Sequence, residues 1–334
     1  MPLLEVRNVN VMFSSAGANP KRVAAVRGVS LTVDEQESVG IVGESGSGKS
    51  TLALAILRML PGRTAQVEGE IRFDGIDLLA LPEERMAAEI RWKRLSAVFQ
   101  KSMNSLSPVH KIGAQMADIY RIHEPTVSKA DVKRRMIELL EMVNLPARVY
   151  NQYPHELSGG MMQRVSIAMS LMHHPRLLIM DEATTALDVI TQGQILDEIM
   201  ELERTLRTTR IMITHDMSVV AYACKKVAVM YAGCLVEFGD VRTVLADPQH
   251  PYTQGLLATI PSLTGEKKLV RGIPGSIPDL SEPIRGCVFA PRCAHARDIC
   301  RTQAPPAVDL SAGRTAACHF AGAGGGEPGG EHDR

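Results

Sequence analysis

Residues 43–50 read GESGSGKS, a run of glycines and small polar residues closed by a lysine and a hydroxyl. Glycines let a backbone turn sharply enough for successive N–H groups to converge on phosphate oxygens, and a helix starting behind them adds favourable partial charge. Gly43, Glu44, Ser45, Gly46, Ser47 and Gly48 would form that turn. Lys49 would neutralise β- and γ-phosphates, Ser50 would offer its hydroxyl to Mg2+, and Thr51 completes the set. The bland alternative is a glycine-rich turn with a chance lysine. It requires the pattern to fall by accident between an apolar strand, SVGIVG, and a helix-forming run, STLALAILRML.

Two further stretches could act on the same phosphates. In LLIMDE, an apolar strand carries Asp181 and Glu182 to its carboxyl end, where α/β sheets place their ligands. Asp181 suits Mg2+ and its waters, and Glu182 suits a carboxylate that orients or deprotonates an attacking water. Alone, the pair could equally be solvated acids ending a strand. In LSGGMMQR, Ser158 is placed as a helix N-cap, and Gly159 and Gly160 keep the helix entrance bare. One chain rarely needs two γ-phosphate cradles; two chains facing head to tail do, because each can offer its second cradle to the other's nucleotide.

The elements that must hold these residues read as follows. Residues 1 to about 90 are short strands and turns, and a helical pattern runs from about Ile112 to Leu157. Val132, Met136, Leu139, Leu140 and Val143 share one face behind a start at Ser128 and Asp131. LLIMDE and RIMITHD are short apolar strands buried on both faces and alternating with helices, the mark of a largely parallel α/β sheet. KKVAVMYAGCLVEFGD reads as a hairpin turning at Ala232-Gly233. Beyond about 240 the composition shifts to proline and then cysteine, and 321–334 is a glycine-rich tail expected to be disordered.

Thirty-seven basic side chains balance 37 acidic ones, so no global charge points to nucleic acid or an anionic membrane. The first residues lack the regions of a signal peptide, and no apolar run approaches the ~18 residues of a membrane span. The expectation is a soluble, cytosolic chain.

The ordered set GESGSGKST, FQ ending at Gln100, LSGGMMQR, LLIMDEATTALD and ITHD resembles the nucleotide-binding subunit of ABC transporters over roughly residues 3 to 240. That resemblance implies an α/β fold of the ABC-type P-loop ATPase kind. Its parts would be a RecA-like parallel sheet core, an antiparallel β subdomain, a helical subdomain at about 101–172, and a small cysteine-containing extension at 241–320. It also implies that Gln100 touches Mg2+ and senses a membrane partner, and that His215 contacts the γ-phosphate and the attacking water. Leu157, Ser158, Gly159, Gly160 and Met161 would bind the partner's nucleotide, with Asp188 across the dimer seam. Phe13 would stack on adenine, against which stands plain core packing. Met161 replaces a glutamine common in the wider family. A soluble ABC ATPase acting on DNA or ribosomes would show a long coiled-coil insertion or two cassettes, and neither is present. A simple phosphate-loop kinase or GTPase leaves LSGG unexplained.

DPQHPYTQGLLATIPSL, FQKSMNSLSP and Met161 resemble the oligopeptide/dipeptide and nickel importer branch. For that branch the expected partners are two transmembrane permease subunits, a second and related but different ABC ATPase chain, and indirectly an extracytoplasmic binding protein, with no nucleic acid. The place would be peripheral, on the cytoplasmic face of the cell membrane. Peptides lead as cargo, with nickel or another small solute as the alternative.

Cys287, Cys293, Cys300 and Cys318 crowd the extension, with five, six and seventeen residues between them. Four thiolates suit Zn2+ or an iron–sulfur cluster, and these spacings match neither zinc ribbons nor ferredoxins. Arg285, Arg292, Arg297, Arg301 and Arg314 could offset the charge of either, and His295 and His319 could substitute as ligands. The branch resemblance implies a four-iron four-sulfur cluster in a structural role. Cys224 and Cys234 read as packing residues.

Overall fold

The computed structural model describes residues 2–15, 21–100, 105–185, 187–259, 272–311 and 313–322. Part of FQKSMNSLSP (101–104), part of the segment after Asp247 (260–271), and the tail from 323 lie outside them.

Period-two burial organises the first sheet. Strands β1 (Pro2–Ser14), β2 (Arg22–Asp34), β4 (Ala65–Phe73) and β5 (Ile76–Asp77) pair antiparallel in the order β2-β1-β4-β5. Leu4, Val6, Val9 and Val11 of β1 face inward against Leu31, Val33, Ile71 and Phe73.

The second sheet follows from strands too apolar to show a face to water. β3 (Ser38–Val42), β7 (Leu177–Asp181) and β8 (Thr209–Thr214) are buried along their whole length. They lie parallel with β6 (Leu95–Val98) and β9 (Lys226–Tyr231). Register sets their carboxyl ends level: Val42 pairs with Thr214, Ile213 with Asp181, and Met180 with Val98. Whatever follows β3, β6, β7 and β8 therefore emerges along one edge. β10 (Cys234–Asp240) returns antiparallel to β9 through Ala232 and Gly233, both at positive φ, as the hairpin pattern requires.

Helix α1 (Lys49–Ile56) follows β3; α2 (Glu83–Arg85) is a single short turn. Helices α3 (Ile112–His123), α4 (Lys129–Met142) and α5 (Gly159–Ser170) form a layer around Val132, Met136, Leu139 and Leu140. Ser128 caps α4 by accepting from the N–H of Asp131, as its sequence position predicts. α6 (Val189–Leu206) and α7 (Met217–Ala223) follow β7 and β8.

Residues beyond 240 do not stand apart. After α8 (Val241–Ala246), α9 (Pro251–Ala258) and α10 (Asp298–Thr302), strands β11 (Val308–Ser311) and β12 (Arg314–Ala316) complete the order β11-β12-β10-β9-β3-β8-β7-β6. β12 pairs antiparallel with β10, and Arg314 bonds Glu237 at 3.0 Å with side chains 8% and 0% exposed. Val42, Val229 and Tyr231 of the parallel sheet share one core with Tyr252, Val288 and Phe289 of the extension. Among the described residues no helix is long and apolar enough to cross a membrane.

Candidate active site

The loop from β3 into α1 takes a path open to few side chains. Gly43, Gly46 and Gly48 hold φ of +151°, +81° and +96°, and a Cβ on Gly48 would stand 2.3 Å from the Ala25 carbonyl oxygen. Lys49 lies at the base, 5% exposed, its Nζ donating to the carbonyls of Gly43 and Glu44 at 2.8 Å each and to Ser47 Oγ at 3.3 Å. Burial lowers the Lys49 ammonium from its usual value, while Glu182, Asp181 and Glu44 act to raise it. A cation held only by carbonyls and a hydroxyl, with carboxylates close by, is poised to exchange those partners for phosphate oxygens.

A hydroxyl and a carboxylate also meet beside the loop. Ser50 Oγ donates to Asp181 Oδ1 at 3.0 Å. Burial raises the Asp181 carboxyl above its ordinary range; the Ser50 bond opposes this, Glu182 adds to it, and Lys49 opposes it. Hydroxyl plus carboxylate, with room for waters, fits the hard oxygen ligation that Mg2+ prefers.

Glu182 follows at φ +49°, a left-handed backbone uncommon outside glycine, with its N–H held by the Ile213 carbonyl at 2.9 Å. Its Oε2 accepts from Gln100 Nε2 at 2.7 Å, and its Oε1 lies 3.4 Å from His215 Nδ1. The ends of β3, β6, β7 and β8 thus bring together Lys49, Ser50, Gln100, Asp181, Glu182 and His215. A cavity of about 650 Å³ opens among Gly43, Glu44, Ser45, Glu182 and His215.

The other expected residues gather elsewhere. Ser158 caps α5, accepting from the N–H of Met161 at 3.3 Å, and Asp188 caps α6, accepting from the N–H of Thr191 at 2.9 Å. A Cβ on Gly160 would come within 2.9 Å of Thr191 Cγ2, so LSGG and Asp188 share one patch. None of Leu157, Ser158, Gly159, Gly160, Met161 or Asp188 lines the phosphate-loop cavity. Phe13 packs half-buried against the core of the first sheet, beside Val23 and Ala65.

The cysteines are all free thiols. Burial raises Cys287 while the N–H groups of Phe289 and Ala290 pull it down, and Cys300 and Cys318 add to the rise. Cys293 and Cys318 are likewise raised by burial, opposed by the N–H groups of His295 and of Phe320 and Ala321, and each senses Cys300. Backbone N–H groups turn toward three of these thiols, while burial keeps all three in the protonated direction. Among the described residues no three or more His, Cys, Asp or Glu are grouped to hold a metal ion. Two of the arginines expected to offset charge there are engaged otherwise: Arg292 binds Glu44, and Arg314 binds Glu237 and Asp247. Cys224 and Cys234 pack against the core, and burial pushes both thiols up to about 11.

Sequence reasoning missed two contacts that hold the phosphate loop from the extension. Tyr252 accepts from the Glu44 N–H at 2.9 Å, and Arg292 bonds the Glu44 carboxylate at 2.9 Å. No local pattern announces contacts that span more than two hundred residues.

The ABC transporter family profile matches residues 26–185, and that of the oligopeptide/dipeptide transporter C-terminal region matches residues 236–300. A probable peptide ABC transporter ATP-binding protein of Sinorhizobium fredii is 45% identical over 320 residues, covering 95% of this chain and 94% of its own length. The oligopeptide transport ATP-binding protein OppD of Bacillus subtilis is 46% identical over 314 residues, 92% of this chain and 86% of the relative. Its Escherichia coli namesake is 42% identical over 318 residues, 95% and 92% of the two chains. Among solved structures, the dimeric post-hydrolysis state of the ATP-binding cassette MJ0796 bound to ADP and Pi superposes with a TM-score of 0.62 at 28% identity, over 72% of this chain and 99% of that one. Likeness that runs from the phosphate loop through the extension makes this chain a member of the ATP-binding proteins of ABC transporters, in their oligopeptide/dipeptide branch.

Proposed function

We propose that the chain is the ATP-hydrolysing subunit that energises import of peptides across the cytoplasmic membrane, and that it works as one of two paired cassettes. The carrying observation is the convergence, at one sheet edge, of a buried lysine, a serine–aspartate pair and a glutamate flanked by Gln100 and His215. Lys49 binds the β- and γ-phosphates, and Ser50 with Asp181 would hold Mg2+. Glu182 accepts the proton of the attacking water, and His215 orients that water toward the γ-phosphate. In ATP-bound pairs Gln100 leaves Glu182 and reports the occupied site to a permease.

Pairing rests on the separation of the two cradles. The Ser158 helix start does not line the phosphate-loop cavity and lies next to Asp188, where Val189 and Ile190 are 83% and 75% exposed. A second cassette, most simply a related but different chain, covers that patch and places its nucleotide on the Ser158 N-terminus. Two transmembrane permeases dock near Gln100, an extracytoplasmic protein delivers the peptide, and this subunit sits peripherally on the cytoplasmic face.

Cys287, Cys293, Cys300 and Cys318 would hold a four-iron four-sulfur cluster, which would supply a redox-capable group and tie the turns of the extension together. The crowding of four cysteines into the extension and the backbone donors at three of them support this reading.

The test of cargo and coupling is ATP turnover by the assembled importer in proteoliposomes. Peptide with binding protein is expected to stimulate it, Lys49→Ala to abolish it, and nickel to leave it unchanged. Stimulation by nickel alone would move the chain to the other solute class.

A further inference from the structure

The catalytic cavity is walled on one side by the cysteine-bearing extension. Leu256, Thr259, Ile273, Gly275 and Arg292 line it together with Glu182 and His215. Ile277 Cδ1 also lies at the phosphate loop, 4.0 Å from where a Cβ on Gly46 would sit.

Arg292 is the extension's strongest hold on that loop. Its Nη1 donates to both Glu44 carboxylate oxygens, at 3.1 and 2.9 Å, and to the Tyr231 hydroxyl at 3.2 Å. Nε and Nη2 donate to the Pro274 and Ile273 carbonyls at 2.8 and 3.0 Å, which fixes the guanidinium plane. The side chain is 6% exposed. Tyr252, also of the extension, holds the Glu44 backbone N–H. The turn presenting Arg292 (Ala290–Arg292) runs between Cys287 and Cys293, so the cysteine module anchors the grip.

Glu44 needs such a partner. Its carboxylate lines the cavity that must receive a nucleoside triphosphate, and its charge acts on Lys49. An uncompensated carboxylate there repels phosphate and competes for the lysine. The geometry points to Arg292 as a positioning residue for nucleotide binding, which neutralises and pins Glu44 so that the phosphate loop can accept ATP. This rests on the ATP-site reading, and it makes the extension part of the nucleotide site.

The test is the affinity of the purified full-length chain for a fluorescent ATP analogue with Mg2+, together with KM and kcat of the assembled importer and a thermal melt of each variant. Wild type must bind and Lys49→Ala must not; failure of that control would count against the ATP site itself. Arg292→Gln is expected to weaken binding and raise KM about tenfold, the scale of a lost charged hydrogen bond, with kcat held within about twofold. Arg292→Lys should recover part of the loss. The double variant Arg292→Gln with Glu44→Gln should bind within about threefold of wild type, because the offending charge is gone. Glu44→Gln alone, which keeps Arg292 and removes the charge it offsets, should bind more tightly than wild type; it decides the matter if Arg292→Gln does not fold, and unchanged affinity there counts against the inference. Unchanged affinity in Arg292→Gln despite a lowered melt, a double variant as weak as the single, or weakened binding in Glu44→Gln would overturn the inference.

Discussion

The side-chain amide of Gln100 donates to Glu182 Oε2 at 2.7 Å, tying the second residue after β6 to the first after β7. In the proposed mechanism this bond links the general base to the glutamine that would report to a permease. Releasing one frees the other.

Replacing Glu182 with glutamine should separate binding from turnover. Glu182→Gln keeps the loop, Lys49 and the Ser50–Asp181 pair, so ATP affinity stays within a few-fold of wild type. Turnover should fall by at least about a hundredfold, the contribution of a positioned general base. Single-turnover hydrolysis of labelled ATP measures it; a near-normal rate removes Glu182 from the role.

His250 gives the extension an acid-sensitive foot. Its Nδ1 accepts from the Tyr252 N–H at 3.0 Å, and burial pushes the ring down to about 4. The folded protein keeps it neutral while the unfolded chain takes up a proton below about 6.5. Its contribution is thus fully present above that pH and is lost as pH falls toward 4, to the extent of up to about 3 kcal/mol. Denaturant melts between pH 7 and 4 should show a steeper loss in wild type than in His250→Asn, which keeps a helix-capping side chain. Parallel slopes would count against it.

The cysteine module predicts a colour. Anaerobically purified protein should absorb broadly near ~400 nm and carry iron. Cys293→Ser should bleach it and lower the melting temperature. A colourless preparation holding only zinc would remove the cluster.

Legibility followed the range of the interaction. The phosphate loop, the Ser128 and Ser158 caps and the Ala232-Gly233 turn are local devices whose residues are dictated by their own backbone, and they read directly. Asp181 and Glu182 stood out because they close an apolar strand whose end parallel register brings level with its neighbours, whereas His215 entered only through the family resemblance. The pairing of β12 with β10 was not readable: three residues of modest apolarity carry no signal, and their partner lies far back in the chain. Arg292 was read only as countercharge for the thiols, because nothing in APRC reveals a carboxylate 248 residues earlier. The left-handed backbone of Glu182 belongs to the same group, being imposed by the Ile213 carbonyl and not by its own type.

The claim on which the mechanism turns is that each chain carries half of every nucleotide pocket. Light scattering of Glu182→Gln with saturating ATP and Mg2+, alone and mixed with the second cassette of the same importer, measures it most directly. The account predicts a two-chain species that forms with ATP, dissolves with ADP, and is abolished by Ser158→Arg on both chains. Single chains under all these conditions, with wild type still turning over ATP at a rate per chain independent of concentration and partner, would contradict it.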